Sequence, residues 1–209
     1  TLSGKAATTA RPEPLRPRCG HCGVKPENIL RCSRCKVMLY CNQEHQVAHY
    51  DVHKTACIAL SRNQKRLETE ERKLRAHPGD IDTPPNAFET ECGRFWGFHG
   101  TRDYMRARYA VIDALGGINS FDAVTAQVKH VLDMLRLCYN DNLGMRVWLP
   151  PLLIRLDMDQ ECYNFIEWWH EFGSQDVSKI WDRTDLLKPR GKDMEAFFGS
   201  VEDFVKNEA

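Results

Sequence analysis

Six of the nine cysteines lie between Cys19 and Cys57, and this cluster constrains the fold more than any other feature of the 209-residue chain. The cysteines come in pairs with short gaps, and histidines are interleaved among them. A secreted disulfide scaffold would be short and rich in Cys throughout, whereas pairs with two-residue gaps are typical of zinc ligands in a reducing compartment. We therefore expect a metal-organised module and a location in the cytoplasm or the nucleus.

The cluster contains four pairs of candidate zinc ligands. A Cys-x2-Cys pair on a tight turn offers two thiolates, and residues at i and i+4 share one face of a helix. Four pairs supply eight ligands, which is enough for two closed, structural zinc sites. The predicted ligands are Cys19, Cys22, Cys32, Cys35, Cys41, His45, His53 and Cys57. His49 competes with His45 because it lies four residues from it, and His21 is expected to be a solvated bystander. Spacing alone leaves sequential and crosswise pairing open.

This segment resembles the MYND family of zinc fingers. The resemblance is carried by the two Cys-x2-Cys pairs, the Tyr40-Cys41 dipeptide and the closing His53-x3-Cys57. The sixth ligand position holds His45, where the family usually has Cys, and Gln46 follows it. The resemblance implies crosswise pairing, in which the first and third pairs hold one zinc ion and the second and fourth pairs hold the other.

The resemblance also implies that the finger binds short proline-rich peptides, often Pro-x-Leu-x-Pro, in a shallow groove near the second zinc site. The candidate groove residues are Val37, Met38, Leu39, Gln43 and Gln46. The candidates for the small apolar core of the finger are Val37, Leu39, Tyr40, Val47 and Tyr50.

Charge divides the chain at about the same place as the cysteines do. Residues 1–77 carry 15 basic and 7 acidic side chains, and residues 78–209 carry 14 and 22, so the net charge is zero. The zero net charge excludes a uniformly basic nucleic-acid binder. The opposite charges of the two halves favour two units with different surfaces. We predict a disordered basic arm over 1–18, a MYND-type finger over 19–57, a charged helix and linker over 58–99, and an α-helical, repeat-like domain over 100–209.

Apolar periodicity predicts the helices that follow the finger. In the linker, residues 60–77 predict an exposed helix whose thin apolar stripe is Leu60, Leu67 and Leu74. Further helices are predicted from Thr101 to Gly116-Gly117, from the N-cap Ser120 to Cys138, around Leu152 with a start after Pro151 or a kink at Pro150-Pro151, from Asp159 to near Gly173, and over 174–209.

Four helices joined by short turns are typical of helix-hairpin repeats. The stretch that includes Asn142-Leu143-Gly144, Leu152-Leu153 and Asp159-x-Glu161 is similar to tetratricopeptide-like repeats, and the finger with its helical region resembles fungal-type MYND proteins. The predicted fold class is mainly α, with a small two-zinc, cross-braced MYND finger followed by an α-helical, repeat-like domain.

The function that these observations favour is a zinc-binding protein–protein interaction adaptor, with proline-rich segments of other proteins as partners and two zinc ions as cofactors. One alternative is a MYND-associated methyltransferase fragment that lacks its SET domain. The sequence contains neither the Gly-x-Gly cofactor segment nor the Asn-His-x-Cys motif of that domain, which disfavours this alternative. Another is a nucleic-acid-associated regulator, which the basic first half would favour. We expect no enzymatic activity, and no membrane partner because no run of eighteen apolar residues occurs.

Overall fold

A computed structural model describes residues 13–172, and the structural statements below concern that part of the chain. The predictions for residues 1–12 and 174–209 lie outside it. The elements are β1 (Leu30–Arg31), β2 (Leu39–Tyr40), α1 (Gln43–Ala48), α2 (Tyr50–Arg75), α3 (Ala87–Thr90), α4 (Arg102–Gly116), α5 (Phe121–Leu137), α6 (Leu149–Arg155) and α7 (Asp159–Phe172). The mainly α fold class is confirmed, and each helix in this range is too short or too polar to span a bilayer.

The finger is built on a short antiparallel hairpin. Strand β1 pairs with β2 so that Leu30 faces Tyr40, and Cys19 forms an isolated parallel bridge to Leu39. The side chains of Val37, Leu39 and Tyr40 are buried, as expected. The prediction was wrong for two other core candidates, Val47 and Tyr50, whose exposed fractions are 67% and 50%. The reason is that α1 and α2 turn their histidines towards the hairpin and leave these two positions on the outer face.

Helix α2 carries the last two ligand candidates and then continues across the predicted boundary after residue 57. It packs along α4, and the side chain of Asn63 donates a hydrogen bond to the backbone oxygen of Ala110 at 3.1 Å. Leu60, Leu67 and Leu74 are buried. The expectation of an exposed helix was therefore wrong, because one apolar residue every seven positions is enough to line a contact with a single neighbouring helix.

In the helical half, each of the helices α4, α5, α6 and α7 packs against the next one in the chain. The Oγ of Ser120 accepts a hydrogen bond from the backbone N–H of Ala123 at 3.2 Å, which confirms the predicted cap of α5. Helix α6 begins at Leu149, before Pro150 and Pro151, so neither predicted alternative was right. Proline is tolerated there because the first-turn N–H groups have no acceptor within the helix. The resemblance to tetratricopeptide-like repeats stays a prediction.

The end of the N-terminal arm contacts the helical half. The backbone N–H of Leu15 donates to the carbonyl oxygen of Arg155 at 2.8 Å, and Arg16 forms an ion pair with Asp157 at 2.8 Å. Leu15 is half-buried against the core. The expectation of disorder was therefore wrong for residues 13–18, because these contacts join positions that are about 140 residues apart and no local pattern announces them.

Candidate metal centre

The two Cys-x2-Cys pairs lie on turns with the same backbone geometry. The N–H of Gly23 donates to the carbonyl oxygen of Cys19 at 2.9 Å, and the N–H of Lys36 donates to that of Cys32 at 2.9 Å. Both residues that follow a pair have left-handed backbones, with φ of 72° at Gly23 and 65° at Lys36. Glycine adopts this conformation freely, whereas lysine does so only where the surroundings require it. The second turn is therefore held by its context.

The first ligand group combines the first and third pairs, namely Cys19, Cys22, Cys41 and His45. Their ligand atoms all lie within 4.8 Å of one another. The Sγ of Cys19 is 3.5 Å from Nδ1 of His45, and the Sγ atoms of Cys22 and Cys41 are 3.7 Å apart. Asn42 caps α1 by accepting a hydrogen bond from the N–H of His45 at 2.8 Å, so the cap positions the helical ligand.

The second ligand group combines the second and fourth pairs, namely Cys32, Cys35, His53 and Cys57, and all four are buried. The Sγ atoms of Cys32 and Cys57 are 3.7 Å apart, and the Sγ of Cys35 is 3.4 Å from Nε2 of His53. His53 and Cys57 lie one turn apart on α2. The two groups are thus cross-braced, as the family resemblance implied.

The donor sets fit zinc. Thiolate and imidazole are the ligands of structural zinc, and a tetrahedron with Zn–S bonds of about 2.3 Å has sulfur–sulfur edges of about 3.8 Å. The observed sulfur–sulfur distances of 3.7 Å match such an edge. Each group supplies four protein ligands, which leaves no coordination position for a catalytic water.

The electrostatics of the thiols also favour a bound cation. Burial raises the pKa of Cys19, but the backbone N–H groups of Cys22 and His21 outweigh it and lower this pKa to about 6. Burial, together with the neighbouring charge of Cys35, raises the pKa of Cys57 to about 12. The thiol of Cys19 therefore ionises easily, whereas that of Cys57 resists ionisation. A divalent cation at the centre of each group stabilises all of the thiolates in that group at once.

His49, the predicted competitor, and His21, the predicted bystander, both lie outside the two ligand groups. His49 sits between them, with Nδ1 3.2 Å from the hydroxyl oxygen of Tyr40 and its ring stacked on that of His53 at 5.9 Å. The exposed His21 places its ring 5.0 Å from the ring of His45. The structure therefore places His45 in the sixth position and leaves His49 as a neighbour of the ligands.

Three of the five candidate groove residues do not line a surface. Val37, Met38 and Leu39 are 8%, 5% and 3% exposed, so they pack the finger, and the prediction that they form a groove was wrong. The physical reason is that the hairpin end lies against the start of α5, where the hydroxyl of Ser120 donates to the carbonyl oxygen of Val37. Gln43 is exposed and Gln46 is half-buried, so these two remain accessible.

Two exposed residues near those glutamines, Val47 and Tyr50, were not predicted to lie on the surface. Val47 and Tyr50 follow Gln43 and Gln46 at the i, i+3, i+4 and i+7 positions of one helical face. This spacing was visible in the sequence, but apolar side chains at these positions were interpreted as core.

Comparison with known proteins supports the finger assignment. Residues 19–57 match the family model of the MYND finger. The chain is 51% identical over 39 residues to Egl nine homolog 1 of Homo sapiens, a match that covers 19% of this chain and 9% of the relative. It is 42% identical over 55 residues to Egl nine homolog 1 of Mus musculus, which covers 26% and 14%. The chain thus spans about a tenth of the length of these curated relatives, and no solved structure matches it.

The fold and the site together define the class of protein. The chain contains a MYND finger, a zinc-binding protein-interaction module that holds two zinc ions in two cross-braced groups, and a helical region follows it.

Proposed function

We propose that this chain is a non-enzymatic adaptor of the cytoplasm or nucleus whose finger binds short proline-rich segments of other proteins. The observation that carries the proposal is an accessible amide and aromatic face on the finger, which we name the α1 surface. It consists of Gln43, Gln46, Val47 and Tyr50.

The four residues of the α1 surface share one face because the helical backbone continues from α1 into α2. The N–H of His49 donates to the carbonyl oxygen of His45 at 3.1 Å, and the N–H of His53 donates to that of His49 at 3.1 Å. This i to i−4 pattern crosses the junction between the helices, so residues three, four and seven positions apart line up.

The chemistry of the α1 surface suits a peptide in the polyproline conformation. Proline-rich segments dock on aromatic side chains and lose little entropy because their backbone is already extended. The ring of Tyr50 and the methyl groups of Val47 offer apolar contact, and the amides of Gln43 and Gln46 offer hydrogen bonds to the exposed peptide carbonyls.

Two further observations support an adaptor over the alternative functions. Both ligand groups are complete with protein side chains, which favours structural metal ions. Three cations of α2 form ion pairs with acids of the same helix, and two of these pairs are Lys73 with Glu70 at 2.9 Å and Arg75 with Glu71 at 2.9 Å. Such pairing disfavours phosphate binding. The repeat-like helical half, with each helix packed on the next, would add a second interaction surface.

The experiment is a fluorescence-anisotropy titration of the full, zinc-loaded chain with a labelled Pro-x-Leu-x-Pro peptide and a version in which alanine replaces both prolines. We expect saturable binding of the first peptide only, with loss of binding on chelation. Tyr50→Ala should weaken binding about tenfold, which is the equivalent of about 1.4 kcal/mol.

The matched control is Val24→Ala, which removes an apolar side chain with 60% exposure that follows the first knuckle and does not belong to the α1 surface. It should leave the affinity unchanged. Failure of the zinc-loaded chain to bind proline-rich peptides, or equal effects of the two substitutions, would refute the proposal.

A further inference from the structure

We propose that metal binding in the finger controls the conformation of the helical half, so that the two parts fold as one metal-dependent unit. This inference does not depend on what the finger binds. It concerns the effect of the second ligand group on residues far from the metal.

The main observation is that one face of α2 carries two metal ligands and also packs against α4. His53 and Cys57 belong to the second ligand group, and both are buried on the face of α2 that continues into Leu60, Leu67 and Leu74. The positions 53, 60, 67 and 74 are seven residues apart, so they form a single stripe along the helix. A metal ion held by the first turns therefore sets the rotation of the whole stripe that packs on α4.

The end of α4 lies close to the turn of α2 that carries Cys57. A methyl group added at Gly117, just past the end of α4, would lie 3.7 Å from Cβ of Ala56, the neighbour of Cys57. Leu60, one turn further along α2, is 0% exposed. The second ligand group thus adjoins the packed contact between the helices, with no linker between them.

A second connection joins the hairpin to α5. Arg31, the neighbour of Cys32, forms an ion pair with Asp122 in the first turn of α5. The hydroxyl of Ser120, which caps α5, also donates to the carbonyl oxygen of Val37, two residues after Cys35. Both cysteines of the second knuckle therefore lie beside residues that contact the start of α5.

A third connection comes from the first ligand group. Leu15 and Arg16 contact the end of α6 through Arg155 and Asp157, and Cys19 follows three residues later. The metal-binding segment thus contacts the helical half before its first ligand, on both sides of the second knuckle and after its last ligand.

The consequence follows from the size of the finger. A segment this short has too little apolar area to stay folded without its metals. Loss of zinc therefore releases the hairpin and the first turns of α2, and the contacts of α2 and α5 weaken with them. Coupling of this kind is reciprocal, so weaker helix packing must also lower the affinity for zinc.

The tryptophans allow the two parts to be observed separately. All five lie at position 96 or beyond, and none lies in the finger. Tryptophan fluorescence of the full chain therefore reports on the helical half, while release of zinc to a chromogenic chelator reports on the finger. We expect the urea midpoint of the fluorescence transition to be clearly lower after both zinc ions are removed. An unchanged midpoint in the metal-free chain would overturn the proposal.

The reciprocal test compares two apolar residues of α2. Leu67 is 7% exposed and lies ten residues beyond Cys57, or about 15 Å along the helix axis. Ile58 is 49% exposed and lies next to Cys57. Leu67→Ala should weaken zinc binding at least tenfold, whereas Ile58→Ala should leave it unchanged. Equal zinc affinities for the two variants would overturn the proposal, and if Leu67→Ala does not fold, the metal-removal experiment on the unaltered chain decides it.

Discussion

Ser120 is the residue at which one substitution tests the contact between the finger and the helical half most directly. Its hydroxyl has two tasks, because it accepts a hydrogen bond from the N–H of Ala123 and donates one to the carbonyl oxygen of Val37. The side chain is only 9% exposed, so water does not readily replace either partner.

The expected cost of Ser120→Ala can be worked out from these two bonds. Loss of an N-cap costs about 1 kcal/mol, and a buried carbonyl that loses its donor costs about 1–3 kcal/mol. The sum is about 2–4 kcal/mol of unfolding free energy. For a chain of this size, this corresponds to a decrease in Tm of roughly 4–16 °C.

The assay is urea unfolding of the zinc-loaded chain, followed by tryptophan fluorescence. Two further variants separate the tasks of the hydroxyl. Ser120→Thr keeps the donor and the acceptor, and Ser120→Asp keeps only the acceptor that caps the helix. We expect the order of stability to be the unaltered chain, then Thr, then Asp and Ala. A loss below about 0.5 kcal/mol for Ser120→Ala, or equal losses for Thr and Asp, would show that the finger contact contributes nothing.

Three other predictions address packing, capping and pH. Leu153→Ala should cost about 2–5 kcal/mol in chemical denaturation because Leu153 is 0% exposed, whereas Ile154→Ala, at 46% exposure, should cost much less; equal losses would refute this view of α6. Asp141→Ala should cost about 1–2 kcal/mol because its carboxylate accepts hydrogen bonds from the N–H groups of Met145 and Arg146, and Asp141→Asn should retain part of the stability; no loss in either variant would contradict the capping role. Burial, together with the charge of Arg108, lowers the pKa of His130 to about 4, so the unfolded chain binds a proton below pH 6.5 that the folded chain excludes. Stability should therefore fall by about 1 kcal/mol more between pH 7 and 5.5 in the unaltered chain than in His130→Gln, and parallel pH profiles would show that His130 does not contribute.

The ligand pairs could be predicted because zinc coordination is a local property of the chain. Two thiols separated by two residues share a turn, and two side chains four residues apart share a helix face, whatever the rest of the fold does. The cap of α5 at Ser120 was predictable for the same reason, since its acceptor role involves only the next three residues. The start of α6 was not, because two prolines permit several positions within a first turn.

Burial in the finger could not be predicted from local patterns. Val37 and Leu39 were predicted both as core residues and as groove residues, while Val47 and Tyr50 were predicted only as core. The structure confirms Val37 and Leu39 as core residues and not as groove residues, and it places Val47 and Tyr50 on the surface. Which apolar side chain is covered depends on what lies against it, and the cover of the hairpin end comes from α5, more than eighty residues away.

The sequence by itself determined which residues form the two candidate ligand groups, that the chain is mainly helical and where several helices begin, because each of these depends on neighbours within a few positions. Only the tertiary structure decided that the finger packs directly against the helical half. The contacts that join it to the helical half, such as Arg31 with Asp122 and Arg16 with Asp157, connect residues 91 and 141 positions apart. Such pairs leave no periodic signal in the chain, because their geometry exists only once all of the intervening elements have packed.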